Sequence, residues 1–171
     1  MKQITIAIVM LFSVSVFAQT NADLKAHYET YYKEMKKQGD VQGIINALTH
    51  LNILEPSVAR KDTLAYLYLS EGKYLQALNT IGVEKNDSDS DMNVEVKALA
   101  LKNLNQPKLA LEHYEVLFKR EPSVYLAYEM ADMKIQVKDL AGARSNIEYG
   151  LANVKDDMKR AFYETQQPYE T

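Results

Sequence analysis

LAYLYLSEGKYLQAL, Leu64–Leu78, reads as two helices meeting at a turn. Before Gly72, apolar residues fall at Leu64, Ala65 and Tyr68; after it they fall at Tyr74, Ala77, Leu78 and then Ile81. Spacings of three and four residues paint one apolar stripe on each helix, so each buries one face. Gly72-Lys73 supplies the turn between them.

Moving outward in steps of 33, the same phrase returns. Ala77, Ala110 and Ala143 are 33 residues apart, and one step back lies Ile44. The surrounding segments GDVQGIINAL, GKYLQALNTI, NQPKLALEHY and KDLAGARSNI open on Gly39-Asp40, Gly72-Lys73, Asn105-Gln106 and Lys138-Asp139. The tetrapeptide EPSV occurs at Glu55–Val58 and again 66 residues on, at Glu121–Val124. Proline cannot continue the helix before it, and serine can cap the helix after it, so EPSV marks a boundary between units. The middle boundary, GVEKNDSDSDMNV from Gly82 to Val94, replaces it with a polar loop. There the preceding helix is expected to end early and the loop to be mobile. No segment alternates at period two, so no sheet is expected. Self-similarity at this period is the mark of a stacked repeat array.

The pattern resembles the tetratricopeptide repeat family, whose unit of about 34 residues is a helix-turn-helix with a small residue in the second helix and a closing proline. Leu64, Ala65, Tyr68, Gly72, Tyr74 and Ala77 match that unit, and Pro56 and Pro122 match the proline. The match departs at Ile44, where alanine is expected, and at Lys97, where leucine is expected. The third and fourth units also lack the turn glycine. The resemblance implies an all-α chain, a right-handed α-solenoid of about four units at 22–57, 58–90, 91–123 and 124–154. A capping helix is expected at 155–167, with Met158 and Phe162 covering the last unit.

The opening MKQITIAIVMLFSVSVFAQT has Lys2, an apolar run from Ile4 to Phe17 and small residues before Gln19. It reads as a secretory signal cleaved after Ala18. The rival reading is a retained anchor, but the run of 14 residues is short of the ~20 that a span needs. The expected location is therefore the periplasm or cell envelope of a bacterium, or outside the cell. No other segment approaches membrane length.

The chain has 171 residues, net charge −3 and no cysteine. Without Lys2 it carries 19 basic against 23 acidic residues, about −4. Nothing strongly basic points to nucleic acid. Disulfides, thiolate metal sites and cysteine nucleophiles are excluded. His27, His50 and His113 share no metal-binding spacing and read as surface residues. DSDSD, Asp87–Asp91, lacks the glycine and glutamate of a calcium loop, because Met92 and Ala98 stand in those places. It reads as a solvated acidic loop. No nucleophile elbow or phosphate loop is present. No enzyme, cofactor or metal is expected.

In such an array the first helices of successive units line a concave surface that binds peptides or helices. The resemblance places Glu29, Lys33 and Lys36 there, with Asp62, Tyr66 and Leu69 from the second unit. Glu95, Leu99 and Lys102 follow from the third, then Tyr128, Asp132 and Ile135 from the fourth, with Tyr125 at the edge. Family members that grip a C-terminal carboxylate use a lysine, asparagine and arginine set that is absent here. Aromatics flanked by charge suit protein recognition, although tyrosine also packs between units and Lys33–Lys37 reads as a solvated face. The expected function is an exported scaffold binding a protein or peptide. The alternatives are self-association through Met158, Phe162 and Tyr163, or a glycan-binding accessory.

Overall fold

The computed structural model describes the backbone of residues 2–166 and side chains of residues 20–156; it is all helical over the described residues. It forms two compact units, Met1–Leu67 and Tyr68–Thr171.

The first unit holds α1 (Lys2–Gln38), α2 (Val41–Leu54) and most of α3 (Val58–Ser70). The second holds the end of α3 with α4 (Tyr74–Ile81), α5 (Asp91–Asn103), α6 (Pro107–Arg120), α7 (Val124–Gln136) and α8 (Leu140–Gln166). α1 packs on α2; in the second unit α4 packs on α5, α5 on α6, α6 on α7 and α7 on α8.

The 33-residue period is written into the backbone. Gly39, Gly72, Asn105 and Lys138 all have left-handed φ, at 72°, 71°, 57° and 68°. At each, the next residue donates its N–H to the carbonyl five back: Asp40 to Met35, Lys73 to Tyr68, Gln106 to Leu101, and Asp139 to Lys134. The left-handed residue itself donates three back, to Lys36, Leu69, Lys102 and Ile135. This is the Schellman helix ending, repeated four times. It satisfies the carbonyls that the helix end leaves open. The third and fourth turns keep the conformation without glycine. Asparagine visits it readily, and lysine does so at a cost.

Unit boundaries are also periodic. Ser123 Oγ accepts from Leu126 N at 3.2 Å, Ser90 Oγ from Asn93 N at 3.1 Å, and Ser57 Oγ from Arg60 N at 3.4 Å. These three caps are 33 residues apart. The middle boundary thus keeps the serine although it lost the rest of the phrase. Glu55 and Glu121 close α2 and α6 by donating N–H to Leu51 and Leu117 at 2.9 Å.

Small residues at the repeat positions let helices approach. Ala77 and Ala110 are fully buried and Ala143 nearly so. In the second unit one core joins Leu78, Val94, Leu101, Tyr114, Leu117, Leu126, Met130 and Met133. Burying such side chains contributes roughly 1.5–3 kcal/mol each.

α4 does end early, after 8 residues against 14 in α2 and α6. The loop that follows is solvated as expected, exposed at residues 82–88 and 90, but it is also tied to the helices beside it. Lys97, in the place of the expected leucine, is only 2% exposed and grips the loop from below. Its Nζ donates to Asp89 Oδ2 at 2.6 Å and to the Glu84 carbonyl at 2.9 Å. Arg120 donates to the Asp89 carbonyl, to Asp91 Oδ1 and to the Asp87 carbonyl. His113 is buried, not a surface residue, and its Nε2 donates to the Val83 carbonyl at 3.0 Å. The acidic run therefore serves the fold: Asp89 and the Glu84 carbonyl partner the buried Lys97 charge, and the exposed Arg120 ties three further loop oxygens to α6.

The segment expected as a separate cap does not break from the last unit. α8 runs unbroken from Leu140 to Gln166, because the first proline after its start is Pro168. The side chains of Met158, Phe162 and Tyr163 lie outside the described residues. α1 likewise continues unbroken from Lys2, through the segment read as a signal, to Gln38.

Candidate functional site

The candidate face of the second unit lies on α5 and α7, the first helices of the third and fourth repeats. Glu95, Leu99 and Lys102 are four and three residues apart on α5 and share one side. Tyr125, Tyr128, Asp132 and Ile135 do the same on α7. Tyr125 and Ile135 are 50% exposed and Tyr128 is 42% exposed. These three large side chains form an open row along one side of the helix.

A polar clasp joins the two helices. Lys102 Nζ lies 2.5 Å from Glu129 Oε2 and 3.7 Å from Asp132 Oδ2. Partial burial works against the Lys102 charge, but the hydrogen bond and charge of Glu129 overcome it and its pKa is raised. Tyr114 of α6 is fully buried in the core cluster. Burial and then the charge of Glu129 push its hydroxyl well above the ordinary range. Burial, Glu129 and Glu95 raise Tyr125 too. Both phenols stay neutral at pH 7. They offer hydroxyl hydrogen bonds and ring faces, not charge.

Tyr128 also has a structural task. A Cβ built on Gly150 of α8 would stand 3.1 Å from Tyr128 Cζ, so the ring lies against a glycine that leaves it room. The tip of the ring, at Cζ, Cε2 and the hydroxyl, lies beside α8, while the residue stays 42% exposed.

The other expected residues are placed differently. Leu99 is half-buried. Leu69 is partly buried and packs against the core cluster, so it serves the interior more than the face. In the first unit Lys33, Lys36 and Tyr66 are exposed. Asp62 is buried at 7% exposure, which takes its carboxylate off the surface expected to present it. Glu29 is exposed beside Lys25, which also pairs with Glu55 at 2.6 Å. Tyr28 stacks on His50, with ring centres 4.3 Å apart and planes 9° apart. Among the described residues no three histidine, aspartate or glutamate side chains converge on a metal position, and no helix is long and apolar enough to cross a membrane.

Solved structures share the helical fold. MamA, as the RS-1 ArsTM double mutant, superposes with a TM-score of 0.62 at 13% identity, covering 75% of this chain and 76% of that one. MamA 41-end from Desulfovibrio magneticus RS-1 gives 0.61 at 13% identity over the same shares. A tetratricopeptide repeat protein from Parabacteroides merdae ATCC 43184 gives 0.63 at 17% identity, covering 77% of this chain and 54% of its own.

The chain has the tetratricopeptide repeat fold.

This chain spans about half of the Parabacteroides protein, at 54%. No family model matches the sequence, and no curated protein matches it. Within the tetratricopeptide repeat frame, Lys97 and the loop it holds are what this chain adds to the repeat pattern.

Sequence reasoning missed Glu129, the partner of Lys102. It lies four residues after Tyr125, and this spacing on the same helix was the signal available.

Proposed function

We propose that the chain is an exported, non-catalytic scaffold that binds a protein or peptide partner on the α5–α7 face. The observation that carries this reading is the row of open side chains on α7: Tyr125, Tyr128 and Ile135, each 42% exposed or more. They stand beside Lys102 and Asp132, in a fold whose first-helix surfaces suit extended peptides and helices. Tyrosine gives such a surface large area at little entropic cost.

The test is crosslinking with mass spectrometry on envelope fractions, comparing the natural chain with a Tyr125→Ala/Tyr128→Ala variant of equal helicity. Loss of one specific partner from the variant supports the reading. Unchanged capture refutes it. Export is tested by the N-terminus of the chain in those fractions. A first residue at Gln19 supports cleavage after Ala18, and an intact Met1 in the cytoplasmic fraction refutes export.

A second reading rests on α8, where Leu140 is 68% and Leu151 64% exposed. Such a helix could pair with a second copy. Sedimentation that shifts with concentration, and stops shifting in Leu151→Asp, would place self-association ahead.

A further inference from the structure

At one end of the α5–α7 face lies an open cleft of about 190 Å³, lined by Asp91, Glu95, Leu117, Arg120, Glu121, Ser123, Tyr125 and Leu126. Its apolar side is made by Leu117 and Leu126, both nearly buried, and by the ring of Tyr125. Three carboxylates stand against one cation in this lining. That cation, Arg120, already donates to Asp91 Oδ1 at 2.7 Å and to two carbonyls of the 82–90 loop. Glu95 is exposed and, among the described residues, forms no ion pair. The lining therefore keeps a negative balance beside an apolar wall.

Size narrows the occupant. Pockets that enclose a whole small molecule run from roughly 300 to 1,000 Å³. A cleft of about 190 Å³ suits one side chain of a larger partner. Charge narrows it again. An aliphatic stem on leucine and tyrosine with a cation among carboxylates describes lysine or arginine, which bury their stems while keeping the charge near polar groups. A tyrosine ring attracts the same cation through its face.

We propose that this cleft receives a lysine or arginine side chain of the partner peptide, its stem against Leu117, Leu126 and Tyr125 and its cation beside Glu95. The inference rests on the α5–α7 face being the partner surface, and adds the charge of what binds there. A basic partner also fits the overall balance of the chain, whose net charge is −3.

The test uses the full chain with leucine methyls and tyrosine rings labelled for NMR, titrated with N-acetyl-lysine amide and N-acetyl-arginine amide. The neutral N-acetyl-norleucine amide and the anionic N-acetyl-glutamate amide serve as controls. Saturable shifts at Leu117, Leu126 and Tyr125 are expected for the two cations, with Kd of roughly 1–10 mM, the scale for ligands this small. They should weaken roughly fivefold in Glu95→Gln and vanish in Glu95→Lys, and in 1 M salt, where screening acts beyond about 3 Å. Equal or stronger shifts with norleucine amide, or none up to 100-fold excess over a millimolar protein sample, would overturn the proposal. This titration needs no natural partner, so it can fail while capture by the Tyr125 and Tyr128 face still succeeds.

Discussion

Lys97 is the residue whose replacement says most about how this fold is held. Its side chain is 2% exposed, and its ammonium lies 2.6 Å from the carboxylate of Asp89, whose side chain is only 14% exposed. Asp89→Asn leaves the Lys97 charge buried with a carbonyl as its main partner. Breaking a buried pair in that way costs about 3–5 kcal/mol. Lys97→Met keeps the length of the side chain and leaves Asp89 near enough to solvent to rehydrate, so it should cost less, about 2–3 kcal/mol. The double variant removes both charges together. It should be at least about 1.5 kcal/mol more stable than the sum of the single losses predicts. In thermal terms Asp89→Asn should lower Tm by roughly 10–20 °C for a domain of this size. The chain has no tryptophan, so the assay is urea unfolding followed by far-UV circular dichroism, with a full thermodynamic cycle of four proteins. Single losses below about 0.5 kcal/mol, or strict additivity, would show a solvent-screened pair and refute the reasoning.

Three further perturbations test other parts of the structure. Burial holds the pKa of His113 below its ordinary value, with Lys97 adding to the depression. The unfolded chain therefore takes up this proton first, so stability present above about pH 6.5 should fall as pH drops below it, by at most about 1.4 kcal/mol per pH unit. A stability–pH profile of His113→Asn should be flatter than that of the natural chain across pH 5–7. Lys138 sits at φ 68°, so Lys138→Gly should stabilise by about 0.5–1 kcal/mol, read as a higher urea midpoint at unchanged slope. Ala110 is fully buried between packed helices, and Ala110→Leu should cost about 1–3 kcal/mol by overpacking, seen as a lower Tm.

What the sequence revealed and what it hid divide along a physical line. The turns at Gly39, Gly72 and Asn105 were legible because a left-handed backbone restricts which residues fit. Lys138 adopts the same conformation with no such sign, and only its place in the period revealed it. Ala77, Ala110 and Ala143 were legible because close helix approach restricts size. Ser90 stood 33 residues from both other caps, but its neighbours had diverged enough to hide the match. Hidden altogether were pairs made by long side chains across the fold: Lys97 with Asp89, Arg120 with Asp87 and Asp91, and Lys102 with Glu129. Helical period tells which side a residue takes and not what stands opposite. That is why the sequence showed the acidic loop as solvated, which it is, and not its ties to the buried Lys97 and the exposed Arg120. Asp62 shows the same limit on the candidate face: its repeat position suggested a surface place, and burial decided otherwise.

The central claim is that the α7 face meets the partner. It is tested most directly by placing a photoreactive phenylalanine analogue at single positions and irradiating living cells. Tyr125, Tyr128 and Ile135 report on that face; Leu75 and Leu109, exposed on the second helices α4 and α6, serve as comparison positions. The account predicts one shared adduct from the three α7 positions and none of it from Leu75 or Leu109. The same adduct from Leu75 or Leu109, with none from α7, would contradict it.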